Sequence, residues 1–221
     1  MKIPVSHGQL EAALRNPKGD LRGGALFCHP HPLQGGTMNT KAVYRAAQAL
    51  NDVGLRTLRF NFRGVGYSTG TFEDGIGELD DVRAALDWLE LGARGLPLVV
   101  GGLSFGSLVG MSVGVDDARV GALVALGTPI NVYDYSFLAD AGKPVLVVQG
   151  EEDEYGSAEE VAEVMEALGD HILVRGIPGS GHLFEGRYVE LRRVIAEFFS
   201  SGPGAEALRN AGALGGEERT I

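Results

Sequence analysis

LPLVVGGLSFGSLVGMSV, residues 96–113, reads as a strand, a sharp turn and a helix in immediate succession. The β-branched pair Val99 and Val100 marks a buried strand, and the apolar run from Phe105 to Val115 is long enough for a buried helix. Between them Gly102-Leu103-Ser104-Phe105-Gly106 has the form G-x-S-x-G. A serine on a strained turn between strand and helix needs small residues two before and two after it, so that the two backbones can pass closely. Its hydroxyl then stands at the carboxyl end of a sheet and at a helix N-terminus, where amide N–H groups favour developing negative charge. In a chain with 34 glycines the bare pattern is equally a tight turn with a serine capping a helix, so partners elsewhere must decide. No charge lies between Arg94 and Asp116, a run long enough to raise a membrane span. Pro97, Gly101, Gly102, Ser104, Gly106 and Ser107 break it, and unsatisfied backbone in lipid excludes that alternative.

On either side, short apolar runs alternate with amphipathic stretches, the pattern of a mostly parallel sheet flanked by helices. Strands are expected at Gly24–Cys28, Arg56–Phe60, Pro97–Gly101, Ala122–Leu126, Pro144–Gln149 and His171–Ile177. Helices are expected at Asn39–Val53, Glu78–Leu91, Phe105–Val115, Ser157–Leu168 and Glu185–Phe199. In the second of these, Leu79, Val82, Leu86 and Leu89 form the inner stripe, while Asp80, Asp81, Arg83, Asp87 and Glu90 are assigned to solvent. Lys2–Val5 and Gln9–Arg15 fit an edge hairpin, although Leu10 to Leu14 also permit a helical turn. Residues 1–200 are expected to form one domain, and 201–221, where five glycines fall outside any periodic frame, a mobile tail.

A serine hydroxyl is a weak nucleophile unless a base takes its proton and an acid orients that base. On such a sheet the acid and then the histidine follow the serine in the chain. Only His171 and His182 come after Ser104. His171 begins a strand, at the wrong end of the sheet, whereas His182 follows a strand in the loop Gly179-Ser180-Gly181, so His182 is the base. The acid should lie just past PVLVVQ, where Glu151, Glu152, Asp153 and Glu154 offer four carboxylates. Asp153 is assigned, with Asp134 or Asp140 as displaced alternatives.

A tetrahedral intermediate also needs amide donors for its oxyanion. One is the N–H of Phe105; the second is expected from the loop His29-Pro30-His31-Pro32-Leu33-Gln34-Gly35-Gly36. Pro30 and Pro32 have no N–H, which leaves His31 first and Leu33 second. His29 is assigned to fixing this loop, and Cys28 to the core. Two histidines in a stiff loop with no third ligand nearby do not make a metal site. Gly64-Val65-Gly66-Tyr67-Ser68-Thr69-Gly70 misses the dinucleotide-binding spacing, so no cofactor is expected.

Composition narrows the partners. Nineteen Lys and Arg against 29 Asp and Glu give a net charge of −10, and no basic run could track a phosphate backbone, so neither nucleic acid nor an anionic membrane is expected. One cysteine and an opening without a long apolar stretch point to the cytoplasm. A small-molecule acyl substrate is the expected partner, and a second copy of the chain is kept open as another.

With these residues in place the chain resembles the α/β-hydrolase superfamily. Within it, the likeness is to the small cytoplasmic bacterial hydrolases carrying His29-Pro30-His31-Pro32 with Gly35-Gly36, then Arg59 to Gly66 and Ser68. The elbow, Gln149-Gly150-x-x-Asp153 and Ser180-Gly181-His182 complete the resemblance, which runs from about Leu26 to Phe199. It implies an α/β-hydrolase fold with a mostly parallel eight-stranded sheet, little or no lid, and carboxylester or related acyl hydrolysis through Ser104, Asp153 and His182. Peptidase, lactonase, thioesterase or acyltransferase activity would share this machinery, and a catalytically silent scaffold would retain the fold. Asn61 and Arg63 are expected mainly to anchor their loop, and Tyr133, Tyr135 and Phe137 to line a pocket mouth.

Overall fold

A computed structural model describes the backbone of residues 1–217 and the side chains of residues 1–210. The strands are β1 (Lys2–Val5), β2 (Gly8–Arg15), β3 (Gly23–Cys28), β4 (Leu55–Phe60), β5 (Leu98–Leu103), β6 (Val120–Leu126), β7 (Val145–Gly150) and β8 (Ile172–Ile177). The helices are α1 (Lys41–Asp52), α2 (Ile76–Glu90), α3 (Phe105–Asp116), α4 (Ala158–Glu166), α5 (Tyr188–Ser200) and α6 (Pro203–Glu217). The eight strands form one sheet in the order β1-β2-β4-β3-β5-β6-β7-β8. β1 and β2 pair antiparallel, as do β2 and β4, and every later pairing is parallel.

Continuous apolar strands bury both faces, and the period of two sorts their side chains between two cores. In β3, Leu26 and Cys28 face the layer of α2, α3 and α4, while Ala25 and Phe27 face α1 and α5. β6 divides in the same way, with Leu123 and Ala125 on one side and Ala122, Val124 and Leu126 on the other. The chain reverses its direction of winding between β3 and β5, so the loops leaving these adjacent strands flank a crevice at the carboxyl edge. No described helix is long and apolar enough to cross a membrane.

The opening segment is the hairpin rather than a helical turn, with Val5 opposite Gly8 and Gly8 at φ +126°. Two expectations are corrected. Asp81, assigned to solvent, is fully buried, because it lies one helical turn from buried Glu78 and beside Val82 on the stripe that faces the sheet. In place of the mobile tail expected from residue 201, α5 ends at Ser200 with Ser201 as its cap, and Pro203 opens α6, a position where its missing N–H costs nothing. Ala205 and Leu208 are buried, three residues apart, and Leu208 joins the core beneath α1 and α5. Packed structure therefore continues past residue 200; residues 218–221 of the expected tail lie outside the described residues.

Candidate active site

Ser104 sits between β5 and α3 at φ +56° and ψ −125°, a conformation a side-chain-bearing residue adopts only under strain, typically about 1–3 kcal/mol. The glycines around it are explained by close approach: a Cβ at Gly102 would collide with the Gly106 carbonyl, and one at Gly106 with the carbonyls of His29 and Cys28. The first turn of α3 thus rests on the end of β3. The Ser104 N–H donates to the Leu126 carbonyl at 2.9 Å, tying the turn to the neighbouring strand. Beneath it, the Ser107 hydroxyl donates to the Ser104 carbonyl at 2.7 Å and meets the buried Tyr135 hydroxyl at 3.0 Å.

The next residue along β6 brings the histidine in. Gly127, at φ +52°, lies flat against His182: a Cβ there would stand 3.0 Å from the His182 carbonyl and 3.2 Å from its Nδ1. Nδ1 donates to Asp153, at 2.9 Å to Oδ2 and 3.1 Å to Oδ1. Asp153 is 4% exposed and accepts two further bonds, from the Tyr155 N–H at 2.9 Å and from Gln149 Nε2 at 2.8 Å. The Tyr155 ring meets the imidazole edge-on, centroids 4.6 Å apart. Behind His182, Phe184 is fully buried at φ +57° and anchors the loop.

Ser104, Asp153 and His182 are therefore brought to one edge by β5, β7 and the loop after β8, while the alternatives lie elsewhere in the bonding pattern. Asp134 accepts from the Ser136 N–H and hydroxyl, bonds that hold its carboxyl below the usual range, and Asp140 is exposed. His171 bonds to the Leu138 carbonyl. Glu151, Glu152 and Glu154 are exposed around Asp153.

The loop after β3 is stiffened by its own hydrogen bonds and packs against the start of α3. His29 is fully buried, donates from Nδ1 to the Pro30 carbonyl at 2.6 Å and accepts the Phe62 N–H at Nε2, 3.0 Å. Burial pushes its pKa down to about 4, and with both nitrogens spent it has no lone pair for a metal. Gly35 turns the loop at φ +81°, and Gly36, where a Cβ would collide with the Pro30 carbonyl, closes it by donating to the His31 carbonyl at 3.1 Å. Of the two amides named for the oxyanion, the Leu33 N–H donates to His31 Nδ1 at 3.2 Å. The His31 ring lies 5.1 Å from Phe105 and 4.9 Å from Phe72, bringing this loop against the start of α3. Cys28 lies under the same crevice with its thiol pushed up by burial, the opposite of an activated nucleophile.

The second sequence block is scaffolding. Asn61 accepts the Met38 N–H at 2.8 Å and donates to Glu11 at 2.7 Å, and Arg63 is buried against Asp81, with Nη2 to Oδ1 at 2.9 Å. Of the three rings expected at a pocket mouth, only Tyr133 faces the elbow, 6.5 Å from Phe105; Tyr135 is buried under α3, and Phe137 packs beside it. The connection carrying them holds a short 3-10 turn, Ser136–Asp140, and no longer helix. Two participants escaped the sequence reading. Gln149 and Gly127 carried no assigned role, yet a lone amide closing the apolar run PVLVVQ was a visible signal, since a buried amide must be bonded to something.

Residues 26–192 match the alpha/beta hydrolase domain family. An uncharacterized protein from Rickettsia prowazekii is 37% identical over 183 residues, covering 79% of this chain and 77% of its own length. The solved structure of an alpha-beta serine hydrolase homologue from Coxiella burnetii superposes with a TM-score of 0.84 at 36% identity, covering 90% of this chain and 96% of that one. A serine hydrolase without lid from Xanthomonas campestris gives 0.82 at 30% identity, with 90% and 92% covered. A strained serine on the strand-to-helix turn at the crevice of such a sheet, and a family match spanning most of its length, carry one conclusion: the chain belongs to the alpha/beta hydrolase domain family.

Proposed function

We propose that this protein is a serine hydrolase, a carboxylesterase for small soluble acyl substrates that needs no cofactor and works in the cytoplasm. The observation that carries the reading is the buried Asp153 on His182 Nδ1, with the ring packed on Gly127 beside the strand that holds the Ser104 backbone. Ser104 Oγ attacks the acyl carbonyl while His182 Nε2 takes its proton. Asp153 keeps Nδ1 protonated, so that Nε2 offers its lone pair, and stabilises the imidazolium as it forms. The amides of Phe105 and His31 receive the oxyanion, and His182 returns the proton to the leaving alkoxide. Water, activated by the same imidazole, then releases the acid and restores Ser104.

The preference for small substrates follows from the surroundings. The connection after β6 carries only a short 3-10 turn, so nothing there would cover a long acyl chain, whereas Phe72, Phe105 and Tyr133 offer a compact aromatic floor. Labelling with a fluorophosphonate, read by intact mass and peptide mapping, tests the reading. Wild type should take one adduct on Ser104, and His182→Ala none. Esters from acetyl to palmitoyl should then be hydrolysed fastest at the short end. No adduct on folded wild type would refute the hydrolase, and a rate that climbs with chain length would refute its substrate class.

A further inference from the structure

We infer that Gln149 is the positioning residue for the His182 imidazole, an assignment that rests on the triad reading above. Gln149 is fully buried at the end of β7, where every neighbour along the strand is apolar and a hydrocarbon side chain would pack without desolvating an amide. The amide is spent completely. Oε1 accepts the Thr128 N–H at 2.6 Å, which fixes which end of the amide is oxygen, because a flip would set NH₂ against N–H. Nε2 is thereby committed as donor, to Asp153 Oδ2 at 2.8 Å and to the Gly156 carbonyl at 2.7 Å.

One side chain therefore ties together two of the groups that touch the imidazole. On one side it holds the carboxylate that receives Nδ1–H. On the other it pins Thr128, directly after Gly127, the residue whose bare Cα lies against the ring. Gly156, its third partner, closes the turn that carries Asp153 and Tyr155, with its N–H on the Asp153 carbonyl at 3.3 Å. The donor Gln149 offers Asp153 is neutral, so it orients the carboxylate without cancelling its charge, which an arginine at that position would do. Rotation of the ring by a fraction of an ångström at Nε2 is then resisted by a network rooted in the sheet.

The test uses the full-length protein with Gln149→Met, near in shape but unable to bond, and Gln149→Glu, which keeps an acceptor for Thr128 and turns an acceptor toward Asp153. Three readouts are taken: thermal melting, the hydrogen-bonded Nδ1–H signal of His182 by NMR on histidine-labelled protein, and the kinetics of Ser104 with probe and short ester. In both variants the Nδ1–H signal should move or broaden, and kcat and labelling should fall ~10- to 100-fold with KM changed less than about twofold, the cost of a small misplacement. In an Asp153→Ala background Gln149→Met should cost less than about twofold more, because it acts through that carboxylate. An unmoved Nδ1–H signal with unchanged labelling in either folded variant overturns the assignment, as does an equal loss with and without Asp153. Should wild-type Ser104 fail to label while the His182 signal still moves in the variants, the hydrolase reading falls and the positioning role stands.

Discussion

Two buried aspartates each hold a partly buried histidine at the same distance, in surroundings that differ. Asp81 receives His7 Nε2 at 2.9 Å, and Asp153 receives His182 Nδ1 at 2.9 Å. Their other partners differ in charge. Asp81 also takes the Arg63 guanidinium, at 2.9 Å from Nη2, together with the Arg63 N–H at 2.8 Å, and His7 spends its second nitrogen on Thr69 at 3.3 Å. Asp153 has only neutral donors, Gln149 and the Tyr155 amide, and among the described residues His182 Nε2 donates and accepts nothing. A carboxylate already matched by a permanent cation has little left to offer an imidazole, and the cluster is a clasp between the first hairpin, the loop after β4 and α2. A carboxylate held by dipoles alone directs its charge at the ring beside it, and that ring keeps one nitrogen unbonded among the described residues.

Asp153→Asn should break the contrast most sharply. Gln149 and His182 both donate toward Oδ2 and Tyr155 toward Oδ1, so either orientation of the new amide sets an NH₂ against a donor. The imidazole loses its enforced tautomer, and kcat for a short ester should fall ~10⁴-fold, with a stability cost of no more than about 3 kcal/mol. Near-normal turnover in this variant would transfer the acid's role elsewhere. Asp81→Ala should do the reverse. Arg63 is left buried, its remaining carboxylate the half-exposed Glu73 at 2.8 Å, and removing one member of such a pair costs about 3–5 kcal/mol. Denaturant unfolding should register that loss, while the folded fraction keeps its turnover within about threefold. A large fall in kcat with full stability would mean the clasp touches the reaction.

These pairs also mark what could be read from the residues. The placement of Ser104, Asp153 and His182 at one edge of the sheet was legible because each follows a strand, and chain order alone then says which end of a parallel sheet it occupies. The central strands and helices were legible from their period, with boundaries displaced by a few residues. The Asp81 clasp was not: a helical wheel counts charges as outward, and only the arrival of Arg63 from a loop eighteen residues earlier makes an inward aspartate tolerable. The role of Gln149 was hidden for a similar reason, since its partners lie on three separate segments that only the folded sheet brings together. The glycines of the last stretch concealed α6, where two buried side chains suffice once α5 supplies the surface they cover.

His29 extends the comparison to an imidazole with neither a carboxylate nor an open nitrogen. Desolvation lowers its pKa from 6.5 to about 4, so the unfolded chain takes up a proton there before the folded one does. The contribution is fully present above pH 6.5, declines as pH falls toward 4, and is flat below that, for a total of about 3 kcal/mol. Stability measured by denaturant at intervals from pH 7.5 to 3.5 should therefore show a slope that His29→Asn makes shallower by about that amount. Identical slopes in the two proteins would mean that His29 is solvated more than its burial implies.

The smallest expected effect belongs to Tyr135, and it tests whether burial beside Ser104 is itself a sign of chemistry. The Ser107 hydroxyl proton is already given to the Ser104 carbonyl, so the Tyr135 hydroxyl is the donor in their 3.0 Å bond. Burial pushes this phenol up, which keeps it protonated at any pH where the enzyme would work. Tyr135→Phe removes one neutral bond and leaves the Ser104 carbonyl with both its Ser107 bonds, from the hydroxyl at 2.7 Å and from the N–H at 2.8 Å. The cost should be about 0.5–1.5 kcal/mol in denaturant unfolding, with probe labelling of Ser104 unchanged within about twofold. The decisive contrary result is a fall in labelling of ~10²-fold at unchanged stability, comparable to losing an oxyanion donor. Tyr135 would then stand with His182 rather than with Arg63: a buried polar group whose bond shapes the strained turn and through it the reactivity of the serine.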